Sequence, residues 1–453
     1  MINELPASWL ATELGEIVNY GKIQKAEPAE IPADAWVLEL EDVEKNTSKL
    51  LARMTFSQRQ SKSTKNRFEA GDVLYGKLRP YLNKVLFADR SGYCTTEIVP
   101  LKPNNAIVGR YLFHWVKHPA FLEYVTSVSH GLNMPRLGTE PGRNAPLIVA
   151  PLNEQKRIAD KLDALLAQVD TCRERLDRIP LILKRFRQSV LAAATSGKLT
   201  EDWRVINSNA EDWHLGFLAD LLEGKPRNGY SPKSVDYETP VKSLTLTATT
   251  SGRFLAENFK YIDEPIPESS HLWLQPGDVL VQRANTIEYV GVSAVYDGPP
   301  AGFIYPDLMM KCRANAKVLP KFLHYLLLSE TARRHFRGNA TGTAGNMPKI
   351  NQQTVLSAPV AWPSQPEQTE IVRRVETLFA YAARLAARYT AARAQVEKLT
   401  PALLAKAFRG ELVPQDPNDE PASALLQRIR ATRAVQPQTT RTRKARAIET
   451  AGT

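Results

Sequence analysis

Residues 133–155, NMPRLGTEPGRNAPLIVAPLNEQ, return further along the chain as residues 346–368, NMPKINQQTVLSAPVAWPSQPEQ. The match continues without a gap to residues 200 and 413, and 16 of the 68 aligned positions are identical. An ordered and ungapped similarity of this length indicates an internal repeat rather than chance. The chain is therefore predicted to contain two copies of one structural unit of roughly 200 residues.

A weaker match extends the repeat towards the N-terminus. Gly-Asp-Val-Leu at residues 71–74 recurs at residues 277–280, so the offset falls from 213 to 206 because loop lengths differ. The first part of each copy, residues 1–150 and 205–362, mixes short β-rich runs and helical stretches with Gly, Pro and Asn between them. This alternation predicts two similar α+β globular domains.

The end of each copy carries a long hydrophobic periodicity, through residues 151–204 and 363–413. Apolar residues recur there at alternating spacings of four and three. A sustained 3.5-residue period predicts a coiled-coil seam, because it keeps one stripe facing one partner helix. An ordinary amphipathic helix packed on its own globular domain is the alternative. The predicted helix-pairing residues are Ile158, Leu162, Leu165, Val169, Leu176, Ile371, Val375, Leu378, Leu385 and Val396.

Pro180 lies inside the first predicted helix. An interior proline removes a backbone hydrogen bond and costs ~3 kcal/mol unless the helix bends, so a kink or break is expected nearby. If the two helices pair antiparallel, they hold the two globular domains apart as a rigid spacer. Such a device suits the reading of two separated sites, and it equally suits a scaffold that binds two protein partners.

Composition places the chain among folded proteins, because 43% of its 453 residues are hydrophobic and 24% are charged. The net charge of +11 favours a nucleic-acid partner, but its distribution weakens that argument. Residues 421–453 hold seven basic residues against Glu449 alone, which supplies +6 of the total. Residues 414–453 are therefore predicted to be a basic, disordered tail.

The expected location is the cytoplasm. Three cysteines in so long a chain give no disulfide framework and favour a reducing compartment. The N-terminal residues lack a basic segment followed by an apolar one, so no signal peptide is predicted. No run of apolar residues is long enough to predict a membrane span.

Catalytic motifs are largely missing. The chain has neither Gly-x-Gly-x-x-Gly nor a phosphate-binding loop that ends in Gly-Lys-Ser/Thr. His114 and His118 have the spacing of a zinc-protease helix, but Trp115 occupies the place of the catalytic glutamate. No catalytic residue and no metal site are predicted, and the chain is expected to catalyse nothing by itself. A nuclease with an unrecognised site is the enzyme alternative.

Basic and amide side chains cluster in both globular domains. Such groups can fix phosphates and reach the edges of bases. A solvated charged face is an equally good reading of each cluster taken alone. The candidate DNA-contacting residues are Arg59, Lys62, Lys65, Arg67, Lys77, Arg79, Tyr81, Lys84, Asn133 and Arg136 in the first domain, and Gln282, Arg283, Asn285, Thr343, Asn346 and Lys349 in the second.

Three groups of motifs together resemble the specificity subunits of type I restriction–modification systems. They are GDVLYGKLRPYLNK at residues 71–84, the helix starts at 151–155 and 366–368, and the helix ends at 189–199 and 404–412. The resemblance covers residues 5 to about 413 in the order that the family has them. It implies two target recognition domains in a pseudo-two-fold tandem repeat, joined by two long helices that form an antiparallel coiled coil.

The resemblance also implies a function in host defence. Each globular domain would read one half of a bipartite site in double-stranded DNA, and the paired helices would set the gap. Two methyltransferase subunits and motor-nuclease subunits would be the protein partners. S-adenosylmethionine, ATP and magnesium would act in those partners, and no cofactor is expected in this chain. The segments 41–70 and 236–270 differ most between the copies, which predicts an asymmetric site.

Overall fold

The structure is a computed structural model that describes residues 5–21, 23–131, 133–207, 212–342 and 347–435. Its strands are β1 (Leu10–Glu13), β2 (Lys25–Ala26), β3 (Trp36–Leu38), β4 (Met54–Thr55), β5 (Lys65–Phe68), β6 (Val73–Gly76), β7 (Val85–Phe87), β8 (Gly92–Cys94), β9 (Ile98–Leu101), β10 (Pro146–Val149), β11 (His214–Phe217), β12 (Arg227–Asn228), β13 (Ser234–Val235), β14 (Val241–Leu244), β15 (Phe259–Ile262), β16 (Val279–Gln282), β17 (Ser293–Val295), β18 (Met309–Cys312) and β19 (Pro359–Trp362). Its α-helices are α1 (Leu14–Ile17), α2 (Phe56–Arg59), α3 (Gly109–Trp115), α4 (Pro119–Ser127), α5 (Thr139–Arg143), α6 (Leu152–Thr195), α7 (Glu201–Ile206), α8 (Thr247–Thr250), α9 (Pro320–Leu328), α10 (Glu330–Gly338), α11 (Gln352–Leu356), α12 (Gln365–Phe408) and α13 (Ala422–Val435).

The chain divides into two units, and each contains parts of both long helices, α6 and α12. Unit 1 consists of Met1–Arg175 and Ala392–Thr453, and unit 2 consists of Leu176–Ala391. The sequence repeat predicts two consecutive copies, each with its own helix, and the structure differs from that expectation. Antiparallel pairing explains the difference, because it brings the start of each long helix beside the end of the other.

The hydrophobic cores of the two units show this pairing. In unit 1, Ile158 and Leu162 near the start of α6 share a core with Leu404 and Phe408 at the end of α12. In the same unit the Arg173 guanidinium donates to Thr400 Oγ1 at 3.0 Å. The unit 2 core joins the end of α6 to the start of α12 through Val190, Ala194, Ile371 and Val375.

The predicted pairing residues differ in burial along the helices. Four of them, at the helix starts, are buried in the cores of the units, namely Ile158, Leu162, Ile371 and Val375. Val169 is also buried, whereas the other five are half-buried, namely Leu165, Leu176, Leu378, Leu385 and Val396. Apolar side chains covered by a single partner helix stay partly exposed at their sides, whereas those that also contact a globular core are fully covered.

The sheets repeat in part. Strand β1 pairs antiparallel with β10 in unit 1, and β11 pairs antiparallel with β19 in unit 2 in the equivalent register. A second antiparallel sheet, β7-β6-β9, recurs as β17-β16-β18, where β12 adds one edge strand. The remaining sheets differ: unit 1 has the five-stranded order β2-β5-β8-β3-β4, and unit 2 has β13-β15-β14. Both units are therefore α+β folds with a shared frame and a variable part.

A buried glutamine at the start of each long helix ties that helix to its unit. The Gln155 side-chain oxygen accepts from the Val108 N–H at 2.9 Å. Its amide nitrogen donates to the carbonyls of Ala106 and Ala150 at 3.0 and 2.9 Å. Gln368 makes the three equivalent bonds in unit 2. A primary amide suits this position because it can donate and accept at the same time.

A buried glutamate precedes each glutamine and receives donors from distant parts of the chain. Glu154 accepts from the Trp9 indole at 2.9 Å and from the Gln415 amide. Burial raises the pKa of the Glu154 carboxyl, and these two donors oppose that shift. The segment that follows the end of one long helix thus binds the start of the other. The matching donors to Glu367 in unit 2 are Trp213, Thr200 and Arg204.

Helix α6 continues through Pro180 without a break, so the break expected from the sequence is absent. Pro180 is exposed, and a kink at this position stays a prediction.

The prediction of a disordered tail over residues 414–453 is wrong for its first part. Asp419 is buried and its carboxylate pairs with Arg157 at 2.7 Å. Helix α13 follows, and Leu425 and Leu426 are buried within unit 1. The basic composition of this segment hid an apolar stripe at helical spacing. Residues 436–453 lie outside the described part of the chain.

Candidate nucleic-acid interface

Two loop segments of unit 1 meet beyond the end of β6, the central strand of the β7-β6-β9 sheet. They are residues 77–84, which follow β6, and the described residues 129–131 and 133–137, which precede α5. The Arg79 N–H donates to the Pro135 carbonyl at 2.7 Å, and the Leu137 N–H donates to the Lys77 carbonyl at 2.9 Å. These backbone bonds fix the path of the first loop, which turns through a left-handed conformation at Arg79 (φ 51°).

The same loop pair recurs in unit 2. The Asn285 N–H donates to the Pro348 carbonyl at 3.3 Å, and the Ile350 N–H donates to the Arg283 carbonyl at 2.9 Å. These bonds match those of unit 1 at the repeat offsets of 206 and 213. The structure therefore brings Lys349 close to Arg283 and Asn285, as it brings Arg136 close to Lys77 and Arg79.

The side chains that the two loop pairs present differ between the units. Tyr81 is 47% exposed, and Ile287, at the repeat position, is 50% exposed. Arg136 is exposed and pairs with Glu97 at 3.1 Å, and Lys349 occupies the repeat position. A common backbone frame thus carries two different sets of exposed groups.

The other predicted residues differ in their exposure. Lys62, Arg67 and Asn133 are exposed. Arg79 and Arg283 are half-buried, and their guanidinium groups donate weakly to the carbonyls of Asn133 and Asp307, at 3.5 and 3.4 Å. Thr343 and Asn346 lie outside the described residues.

Two of the predicted DNA-contacting residues require correction, because their side chains are buried and bonded to partners within the fold. Lys65 is buried, and its ammonium donates to Glu39 at 2.7 Å. Gln282 is fully buried and donates to the Leu246 carbonyl and to the hydroxyls of Thr249 and Thr250, each at 3.0 Å. Neither side chain can reach a base or a phosphate without unfolding its surroundings.

Two further predicted residues, Arg59 and Lys84, are partly exposed cations with partners in the fold, and their contact with DNA stays a prediction. The Arg59 guanidinium pairs with Glu41 at 3.0 Å and with the buried carboxylate of Asp42. The Lys84 ammonium donates to the Leu40 carbonyl at 2.7 Å. These groups hold loops of unit 1 in place. Asn285 is engaged in a similar way, since its amide donates to Gln282 at 2.7 Å.

The two histidines with zinc-protease spacing have structural partners. The His114 Nε2 lies 2.8 Å from the Asp163 carboxylate. His118 caps helix α4, because its Nδ1 accepts from the Ala120 N–H at 3.1 Å. Burial lowers the pKa of His118 to about 4, which keeps that acceptor nitrogen unprotonated. Across the residues that the structure describes, no cluster of three or more His, Cys, Asp or Glu side chains could hold a metal ion.

A polar cleft in unit 2 was not predicted from the sequence. It has a volume of about 970 Å³ and lies between residues 223–228, residues 268–275 and strand β18. The run Lys225-Pro-Arg-Asn228 is the one sequence feature that could have indicated it, since it combines two cations with an amide. Both cations are exposed.

Comparison with known proteins identifies the family. Residues 6–181 match the family model described as the type I restriction modification DNA specificity domain. The type I restriction enzyme EcoKI specificity subunit of Escherichia coli (strain K12) is 36% identical over 349 residues, which cover 74% of each chain. The chain belongs to the family of type I restriction enzyme specificity subunits.

Solved structures show the same fold as this specificity subunit. A chain from a structure of a type I restriction–modification system, described for its assembly and conformational transition, aligns with a TM-score of 0.70. The HsdS subunit from Thermoanaerobacter tengcongensis aligns with a TM-score of 0.57. Each alignment covers 90% of this chain, and 99% and 98% of the other chains, at 19% identity. At that identity the likeness shows the fold alone.

Membership of the family gives this specificity subunit a role in DNA sequence specificity within restriction–modification. It also makes the chain a non-catalytic component of a type I system. Among the helices in the described ranges, none combines the length and the hydropathy that crossing a bilayer requires.

Proposed function

We propose that this specificity subunit reads a bipartite, asymmetric site in double-stranded DNA, with one half-site bound by each unit. The observation that carries the proposal is the repeated loop pair, in which the same backbone bonds hold different exposed groups. A shared frame can place both loops against DNA in the same way. The differing side chains then favour two different words.

Each loop pair would make two kinds of contact with DNA, to phosphates and to bases. Exposed cations suit phosphates, which fix register without reading sequence, and they include Arg136 and Lys349 at the loop pairs and Arg67 on strand β5. Polar and apolar groups at the loop tips suit base edges in the major groove. Tyr81 and Ile287 occupy equivalent tip positions with different chemistry, which supports different half-sites.

The two long helices would set the gap between half-sites and dock two methyltransferase subunits. In support, α6 and α12 each run for 44 residues, which is about 66 Å at 1.5 Å per residue. Motor-nuclease subunits would complete the restriction complex. S-adenosylmethionine, ATP and magnesium would act in those partners, where methylation and cleavage take place. This chain would supply only the reading and the spacing.

Methylation sequencing tests the proposal. The chain is co-expressed with its methyltransferase subunit, and cells with the methyltransferase alone serve as the control. We expect a new methyl-adenine motif of two different short words at a fixed gap, present only with both chains. Two identical inverted words would contradict the asymmetric reading. Absence of any motif, with both chains folded and associated, would instead favour a scaffold that binds protein partners without reading DNA.

The spacing role has a separate test. One four-residue turn is inserted into both α6 and α12, away from Pro180, which adds about 6 Å of helix. At 3.4 Å per base pair this corresponds to about two base pairs, so the gap is expected to lengthen while both words stay the same. A gap that stays fixed while binding survives would show that the helices do not set it.

A further inference from the structure

A buried carboxylate holds one of the arginines that line the polar cleft of unit 2. Asp278 is 1% exposed, and its Oδ1 accepts from Arg313 Nε at 3.0 Å. The other oxygen, Oδ2, accepts from the Gln275 N–H at 2.9 Å and lies 3.5 Å from the Lys311 ammonium. The hydrogen bond that Arg313 donates to Asp278 raises the pKa of Arg313, so the guanidinium stays charged.

This arrangement leaves one edge of the guanidinium available. Half of the Arg313 side chain is exposed (48%), and Arg313 lines the cleft. Its Nε is used by Asp278, and within the described ranges neither Nη group has a protein partner. Because the carboxylate fixes one edge of the planar group, the two Nη donors are presented as a preorganised fork.

Unit 1 has the same buried aspartate without this arginine. Asp72 is 4% exposed, and its Oδ2 accepts from the Glu69 N–H at 2.9 Å, as Asp278 accepts from Gln275. Strand pairing places Lys102 where unit 2 has Arg313, since Leu101 and Cys312 occupy matching positions beside β6 and β16. Lys102 pairs with Glu69 and not with Asp72. The arginine fork is therefore a difference between two otherwise equivalent frames.

Further groups around the cleft suit a nucleic acid. Lys225 and Arg227 are exposed, and neither makes an ion pair in the part of the chain that the structure describes. The amides of Asn228 and Gln352 also line the cleft. Two carboxylates, Glu223 and Glu268, make the lining mixed in charge rather than uniformly basic. Cations and amides can bind phosphates, and both can also reach base edges, where carboxylates accept from cytosine.

We propose that this cleft reads a G·C base pair of the half-site bound by unit 2. The two Nη groups of Arg313 donate to O6 and N7 of guanine in the major groove, which is the bidentate pattern that an arginine fork fits. Lys225 and Arg227 contact flanking phosphates. Asp278 is a positioning residue, because it acts through Arg313. The inference rests on the function proposed above and adds the class of base and the residue that reads it.

The test compares methylation motifs of the wild-type chain and two variants, each co-expressed with the methyltransferase subunit. Arg313→Ala is expected to relax one G·C position in one word, leaving the gap and the other word unchanged. Discrimination at that position should fall by about 5- to 150-fold, the range expected for one bidentate arginine–guanine contact. Lys102→Ala, at the repeat position in unit 1, is the matched control and should leave every position unchanged.

A second variant guards against misfolding. Arg313→Lys keeps the positive charge but lacks the fork, so it should relax the same position. If both variants give the wild-type motif with undiminished discrimination, the cleft assignment is wrong while the proposed function stands. If the wild-type chain itself gives no bipartite motif, the proposed function fails and the assignment fails with it.

Salt dependence of DNA binding supplies an independent readout. Arg227→Ala should weaken binding to a duplex that carries the methylated motif and binding to an unrelated duplex by similar factors. It should also reduce the slope of log affinity against log salt by about 1, because one phosphate contact is lost. An unchanged slope would remove Arg227 from the interface.

Discussion

Phe408→Ala tests whether the end of the second long helix is part of unit 1. Phe408 is the last residue of α12 and is 3% exposed. Its ring centroid lies 5.0 Å from Tyr111, 4.9 Å from Trp115 and 5.5 Å from His118. Truncating a buried phenylalanine costs about 3–5 kcal/mol of unfolding free energy. Three aromatic neighbours place this site in the upper part of that range.

Hydrogen exchange and urea unfolding measure the effect. Amides of α3 and α4 in unit 1 should lose protection, while amides of α9 in unit 2 keep theirs. Leu399→Ala is the matched control on the same helix, because Leu399 is 43% exposed and its truncation should change stability by less than about 1 kcal/mol. A loss below about 1 kcal/mol for Phe408→Ala, or an equal loss of protection in α9, would refute the assignment of this helix end to unit 1.

Three further predictions concern buried polar groups and the C-terminal segment. Burial lowers the pKa of Lys117 from 10.5 to about 8, so the unfolded chain binds more protons between these values and wild-type stability rises with pH across them. The difference in urea midpoint between Lys117→Met and the wild-type chain should therefore shift in favour of the wild type between about pH 8 and about pH 10.5, and a constant difference would contradict this. Gln155→Leu should destabilise unit 1, and Gln368→Leu unit 2, by about 2–3 kcal/mol each, because buried backbone groups lose their partners; hydrogen exchange shows which unit opens. Deleting residues 415–453 should lower the melting temperature of unit 1 alone, since Gln415 and Asp419 then no longer bind Glu154 and Arg157; equal loss in unit 2 would argue against this.

The repeat and the two long helices were predictable because both are patterns along the chain. The exchange of helix ends was not, because a 3.5-residue period shows that a stripe is covered but not which segment covers it. Leu162 and Leu404 meet in one core although 242 positions separate them. Helix α13 was missed for a related reason, since charge dominated the composition of a segment whose Leu425 and Leu426 are buried.

The candidate site was predictable only in part. The sequence indicated the loops at residues 77–84 and their counterparts, because basic groups follow a recognisable strand motif. It could not show that Lys65 pairs with Glu39 or that Gln282 is enclosed by hydroxyls, since those partners come from distant segments. The sequence alone does not distinguish a polar side chain that faces water from one that bonds to a buried partner.

The division of the chain has a consequence for its synthesis. Domains usually fold in the order in which they leave the ribosome, the N-terminal one first. Here unit 2 is continuous (Leu176–Ala391), whereas unit 1 needs Ala392–Thr453 for completion. Unit 1 therefore cannot complete its fold until residues 392–453 have been translated. Until then, Glu154 and the apolar face of nascent α6 remain exposed. A released chain that ends at residue 391 should contain a protease-resistant unit 2 and a protease-sensitive unit 1.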